Sequence, residues 1–242
     1  VEADVIEIRQ LDKRYGAVTA VDGVSFVAAD GAITGLLGEN GAGKTTTLGM
    51  VCGLLAPDSG SVLVDGAAAG SGVCRSRIGA LLDHAGLYPR LTARENIFYH
   101  AELQGLRRPA VKARVGDILE TLRLDRLADR PAGGLSHGER VRVAIARAIV
   151  HGPRNVILDE PTNGLDVPTV RALRDLLRRM RNEGRSILFS SHVLAEVRAL
   201  CDQVVVLSRG RVVGRGTVEE ICGDRTLEDA FLTMTERTEA LA

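Results

Sequence analysis

At 242 residues with 45% apolar side chains, the chain can bury one large core or two small ones and is too hydrophobic to be disordered. Its 31 lysines and arginines are matched by 31 aspartates and glutamates, so no bulk positive charge argues for a nucleic-acid binder. No apolar run approaches the roughly 18 residues that span a bilayer. The acidic, alternating start VEADVIEIRQ is unlike a signal peptide, and a soluble, cytosolic protein is expected.

In chain order, DVIEIRQL, AVDGVSFVA and GAITGLLG alternate or run apolar as strands do. GENGAGKTTTLGMVCGLL is a glycine-rich turn running into a helical pattern that stops before Pro57, and after the turn PDSG the segment SVLVDG reads as a short strand. From about residue 92 to 151 the pattern is helical. Thr92 with Glu95, and Ser136 with Glu139, are spaced as capping boxes, and Gly152-Pro153 stops the second helix. Strand NVILD, helix 168–183, strand SILFS, helix 193–201 and strand QVVVLS follow, then a turn, a last short strand and a closing helix capped by Thr217 and Glu220. The unbroken apolar strands call for a sheet covered on both faces. The arginines of RALRDLLRRMRNEGR form a solvated face, because Val170, Leu173, Leu177 and Met180 recur at helical spacing. Cys52, Cys74, Cys201 and Cys222 have no metal-ligand spacing and read as small hydrophobes in a reducing compartment.

GENGAGKT, residues 38–45, fits G-x-x-x-x-G-K-[ST] between a predicted strand and a predicted helix. Glycines there let successive backbone N–H groups turn toward a phosphate, and the helix adds its positive end. Gly38, Asn40, Gly41, Ala42, Gly43, Lys44, Thr45 and Thr46 are the candidate nucleotide-binding residues. Lys44 places charge on the outer phosphates and Thr45 offers a hydroxyl to Mg²⁺. In NVILDEPTNGLD, Asp159 ends a strand where it can hold the magnesium water shell. Glu160 follows, placed to orient a water as general base.

With GENGAGKTTTL, GLSHGERVRVAIARA, ILDEPTNGLD and SSHVLAEV in this order, the chain resembles the nucleotide-binding domain of ATP-binding cassette (ABC) transporters from about residue 4 to about 235. The resemblance implies an α/β fold: a P-loop NTPase core of RecA-like, mostly parallel sheet, an N-terminal antiparallel β subdomain and an inserted helical subdomain. The single domain would divide into core and β subdomain over about 1–85 and 152–222, helical subdomain over about 88–151, and a helical tail over 223–242. It implies that Tyr15 stacks on adenine and that His192 senses the γ-phosphate, so Glu160, His192 and Lys44 form the catalytic set. Ser136 and Gly138 would touch ATP held by a second subunit, and Asp166 would lie in the segment passing that subunit's site. The signature reads LSHGE where the family pattern is LSGGQ, with His137 in a glycine's place, and Val141 stands where many members carry glutamine.

Aligning IGALLDHAGLYPRLT on the family pattern puts Asp83 where members carry a glutamine that contacts Mg²⁺ and the attacking water, with His84 beside it. A carboxylate there can accept from a metal-bound water but cannot donate. The implied function is an ATP-hydrolysing subunit, using ATP and Mg²⁺ and closing as a homodimer. It would power export through a separate transmembrane permease at the cytoplasmic face of the membrane. The tail GRGTVEEI…TLEDAFLTMT looks like that of two-component exporters of the sodium-efflux and drug-resistance kind. The rival reading is a soluble ABC ATPase acting on ribosomes or DNA, which the balanced charge and single cassette disfavour.

Overall fold

The computed structural model describes residues 5–82 and 86–239. Strands β1 (Val5–Tyr15) and β2 (Val18–Ala29) form an antiparallel hairpin, and β4 (Ser59–Val64) and the two-residue β5 (Ala67–Ala68) extend it in the order β2-β1-β4-β5. Strict alternation along β1 would turn Leu11 outward after Ile6 and Ile8. A bulge between Ile8 and Leu11, with Gln10 at φ 48°, returns Leu11 to the core.

The second sheet has six strands in the order β10-β9-β3-β8-β7-β6: β3 (Ile33–Gly38), β6 (Ile78–Leu81), β7 (Asn155–Leu158), β8 (Ser186–Ser191), β9 (Gln203–Ser208) and β10 (Arg211–Gly216). Five run parallel and β10 turns back antiparallel on β9. Every residue of β3, β7 and β8 is buried, as a doubly covered sheet requires. The expected fold class is therefore the observed one: an antiparallel sheet, a mostly parallel sheet and helices packed as in P-loop NTPases.

Leu48, Met50 and Val51 of α1 (Lys44–Val51) fill the space between the sheets with Leu36, Ile157 and Leu188. On the other face lie α6 (Val167–Asn182) and a helical lobe of α3 (Ala93–Leu103), α4 (Arg108–Thr121) and α5 (His137–Ile149). All three predicted capping boxes, at Thr92, Ser136 and Thr217, close in both directions. In α6 the buried stripe is Thr169, Leu173, Leu177 and Met180, one residue offset from the expected start at Val170. Arg171, Arg178 and Arg179 stay exposed, as expected, whereas Arg181 reaches Asp202 at 2.8 Å.

Two elements carried no sequence signal: the pair β5, too short for periodicity, and the six-residue α2 (Gly72–Arg77), capped by Ser71. The chain ends in α7 (Leu194–Leu200), α8 (Val218–Cys222) and α9 (Leu227–Glu239). Cys52 and Cys74 are buried, and Cys201 and Cys222 partly so, all as free thiols; burial pushes Cys52 up to about 12. No helix among the described residues is long and apolar enough to cross a membrane.

Candidate functional site: a phosphate cradle and a held carboxylate

The cradle begins where β3 ends. Gly41 and Gly43 have φ of 83° and 100°, a region that L side chains rarely adopt. Gly43 also lies so close to the Ala20 carbonyl that a Cβ would collide with it. The turn is tied by Ala42 N–H to the Glu39 carbonyl at 3.1 Å and by Gly210 N–H to the Ala42 carbonyl at 3.0 Å. Helix α1 then starts at Lys44, so its free N–H groups open onto the turn. The Lys44 ammonium is folded into the loop, donating to the carbonyls of Gly38 at 2.7 Å and Glu39 at 3.1 Å. These are bonds a phosphate would compete for.

Across the cradle, β7 delivers Asp159 and Glu160. The Thr45 hydroxyl donates to Asp159 Oδ2 at 2.6 Å, joining residues 114 apart in sequence. The Ser190 hydroxyl, at the end of β8, donates to Asp159 Oδ1 and accepts from the Glu160 N–H at 3.0 Å. Glu160 has φ 46°, a left-handed backbone costing a non-glycine residue about 1–3 kcal/mol and retained only where neighbours over-determine it. Here the neighbours are visible. Lys44 Nζ lies 3.4 Å from Glu160 Oε1, and His192 Nδ1 lies 2.8 Å from Glu160 Oε2. With the carboxylate ionised, the proton of that last bond sits on Nδ1.

Tyr15, Ala20, Asn40, Gly43, Thr46 and Glu160 line one hollow with the cradle, and the half-exposed Tyr15 ring stands at its rim with Lys13 Nζ 5.8 Å from its centre. The structure thus brings together Tyr15, the loop 38–46, Asp159, Glu160 and His192. Ser136, Gly138 and Asp166 do not line this hollow. Ser136 caps α5 through Glu139 N–H, Gly138 packs on the Gly164 carbonyl, and Asp166 caps α6 by accepting from Thr169 N–H at 3.2 Å. Hydrogen bonding from the Thr169 side chain, with its N–H adding to it, holds the exposed Asp166 carboxyl below the usual range. Asp83 and His84 lie outside the described residues.

A second cavity of about 500 Å³, between the core and the helical lobe, shares Asp159 and Glu160 and adds Leu82, His137, Arg140 and Asn163. Sequence reasoning missed Ser190, whose sign was a serine beside the strand-ending Ser191-His192. It also missed Glu196, which accepts from Thr162 at 2.6 Å and Ser191 at 3.1 Å and fixes the loop beyond Glu160. Thr45 and Asp159 are suited to share a hard cation, since a hydroxyl and a carboxylate oxygen already stand side by side there. Among the described residues no three or more His, Cys, Asp or Glu side chains form a metal cage.

The family model described as ABC transporter matches residues 21–163, from β2 through the cradle to the loop after Glu160. The chain belongs to the ABC transporter family. It is an ATP-binding cassette, and its activity is that of an ATPase. The ABC transporter ATP-binding protein NatA of Bacillus subtilis (strain 168) is 41% identical to this cassette over 224 residues, 91% of each chain. Nod factor export ATP-binding protein I of Burkholderia orbicola (strain AU 1054) is 38% identical over 213 residues, 87% of this chain and 70% of that protein. A solved ATP binding subunit of an ABC transporter superposes with a TM-score of 0.89 at 30% identity, covering 96% of this chain and 99% of that one. The cassette MJ0796, solved as a dimer, gives 0.80 at 26% identity, covering 88% and 98%.

Proposed function

We propose that this cassette hydrolyses ATP, with Glu160 as the water-orienting base, to power export through a separate membrane subunit. The observation that carries the reading is the convergence on Glu160 of Lys44, His192 and Ser190, beside the Thr45–Asp159 pair. The cradle amides and Lys44 hold the β- and γ-phosphates, and Tyr15 gives adenine a flat platform. Thr45 and Asp159, with Asp83 in the family glutamine's place, would hold Mg²⁺. That ion would neutralise charge developing on the transferred phosphoryl group. Glu160 accepts a proton from the attacking water, a contribution of roughly 10²- to 10⁴-fold. His192 holds that carboxylate in place from the end of the next strand.

Ser136 and Gly138 stand away from the cradle of their own chain, which supports a head-to-tail pair in which α5 of one copy closes on the phosphate of the other, with Asp166 in the segment passing between them. The dimeric MJ0796 cassette supports the same assembly. Export is supported by the Nod factor export relative, and the membrane subunit would hold this protein peripherally at the cytoplasmic face. Replacing Glu160 with glutamine tests the mechanism: turnover should fall at least about 10²-fold while ATP binding persists. Unchanged turnover would sink it. A tagged chain should co-purify from membranes with a polytopic protein; ribosomes or DNA in its place would overturn the export reading. Asp83→Ala should slow hydrolysis or uncouple transport with ATP binding kept, and loss of binding would show that the alignment at Asp83 is wrong.

A further inference from the structure

The second cavity holds a contact that the family pattern does not supply, because it is made by the residue that departs from that pattern. His137 is the first residue of α5, and its ring packs on Gly164, in the loop that runs from Glu160 to Asp166. The three heavy atoms nearest to where a Gly164 Cβ would sit all belong to His137, with Cδ2 at 2.6 Å and Nε2 at 3.3 Å. The next residue repeats the contact from the backbone: a Cβ on Gly138 would sit 2.7 Å from the Gly164 carbonyl oxygen and 3.5 Å from Leu165 Cδ2.

Both sides of this joint are stiff. On the helix side, Ser136 and Glu139 close a reciprocal cap, and Arg140 donates to the Leu135 carbonyl at 2.8 Å. On the loop side, Glu160 N–H is held by Ser190 at 3.0 Å, Thr162 by Glu196 at 2.6 Å, and Asn163 N–H by the Glu160 carbonyl at 3.2 Å. Gly164, at φ 74°, presents no side chain of its own. A displacement of the helical lobe therefore passes through the imidazole into the loop that begins at the reacting carboxylate.

We propose that His137 is a positioning residue: its imidazole, wedged on Gly164, sets where the Glu160 loop stands relative to the helical lobe. The inference rests on Glu160 being the water-orienting base. A glycine at 137 would keep Ser136 and Gly138 but leave a ring-sized gap, and the loop could settle away from the geometry that water attack needs. The wedge works by shape, so a flat ring without nitrogen should serve nearly as well.

The test uses the full chain, with steady-state ATP hydrolysis, nucleotide affinity and thermal melting measured for each variant. His137→Gly should lower kcat about tenfold, since small misplacements near the reacting groups are amplified in rate, while KM and ATP affinity stay within about twofold. His137→Phe should hold kcat within about twofold of the parent. Gly164→Ala should lower kcat by itself, because its methyl collides with the imidazole and its backbone must also hold φ 74°. The double variant His137→Gly/Gly164→Ala should lose less than the product of the two single losses, because removing the ring relieves the collision and leaves only the backbone penalty; two independent losses would multiply. Multiplied losses, an unchanged kcat in His137→Gly, or a KM rising in step with the loss would each overturn the wedge. If Gly164→Ala does not fold, the contrast between His137→Phe and His137→Gly decides. Turnover surviving in Glu160→Gln would instead remove the general-base reading on which the wedge rests, so the two failures are distinguishable.

Discussion

His192 Nδ1 and Glu160 Oε2 lie 2.8 Å apart, so the residues that follow the neighbouring strands β8 and β7 meet over the cradle as one hydrogen-bonded unit. Because Glu160 is held in a left-handed backbone, its carboxylate depends on such partners for direction. His192→Ala should reduce kcat by about 10²-fold with ATP affinity little changed, and His192→Gln, which can still donate, should lose less. Phosphate release and nucleotide titration check both. Equal losses in the two variants would show that the hydrogen bond is not what matters.

Ser190 stands behind this pair and serves both acids at once, through its hydroxyl to Asp159 and its oxygen to the Glu160 N–H. Ser190→Ala should cost about 1–3 kcal/mol of stability and also lower turnover, because a part-buried N–H is left unpaired at the reacting residue. Ser186→Ala, on the same buried strand but bonded to the Ala28 carbonyl, should melt lower without losing turnover. Thermal melting and phosphate release, measured side by side, separate the two.

Gly43→Ala asks whether the cradle tolerates a side chain. The methyl would meet the Ala20 carbonyl, and the backbone would have to hold φ near 100°. The expected strain is about 1–3 kcal/mol, relieved by flattening the turn, so nucleotide affinity should fall by tenfold or more, about 1.4 kcal/mol per decade. Gly41→Ala, where no heavy atom lies within 4 Å of the added Cβ, meets only the backbone penalty and should lose less. Equal losses would remove the steric argument.

Stability should also depend on acid in a defined window. Burial depresses His100 from the ordinary 6.5 to about 4, and the Arg147 charge and the nearby His151 ring add to the effect. Its ring stands 5.9 Å from that of His151, which is itself depressed, chiefly by burial, with Arg114 and Arg185 pressing the same way against the hydrogen bond its Nε2 donates to the Ile78 carbonyl. Both rings are neutral in the folded state at pH 7. Below about 6.5 the unfolded chain takes up protons that folded His100 refuses until about 4, so stability falls across that interval and then levels for this group. Melting temperatures measured from pH 7 to pH 4.5 should decline, and His100→Phe should flatten the decline. A parallel profile in the variant would exclude His100 as the source.

Much of this was legible before any coordinates. The glycines and lysine of the cradle sit in a turn between a strand and a helix because that is where their backbone freedom and charge are useful. Thr92, Ser136 and Thr217 announced their helices through an acid three residues on, a purely local signal. The strand order was not legible, since the pairing of β3 with both β8 and β9 is decided by contacts more than 150 residues apart. Nor was Ser190, because a serine before a strand end looks the same whether it is idle or holds two acids. Asp166 shows the reverse case. Its place before Val167-Pro168 is an ordinary helix-cap signal, and its carboxylate does cap α6, while the role proposed for it beside a partner's site would need a second chain.

The chain leaves the parallel sheet after Leu81 and re-enters it at Asn155 in the strand directly alongside. Because the two strands run parallel, it leaves at one edge, where Leu81 stands opposite Leu158, and returns at the other, where Asn155 stands opposite Ile78. At the exit edge Asp159 N–H donates to the Leu81 carbonyl at 2.7 Å. Helix α5 seals this excursion against the sheet: a Cβ on Gly79 of β6 would collide with the Ala148 carbonyl, and Ala144 and Ala148 share a core with Val156 and Leu158. Helix α3 leans on α5 and α4 leans on α3, so sequence drift on their outer faces can re-tailor whatever that surface touches while Lys44, Asp159 and Glu160 stay fixed, and one hydrolytic core can be refitted to successive tasks.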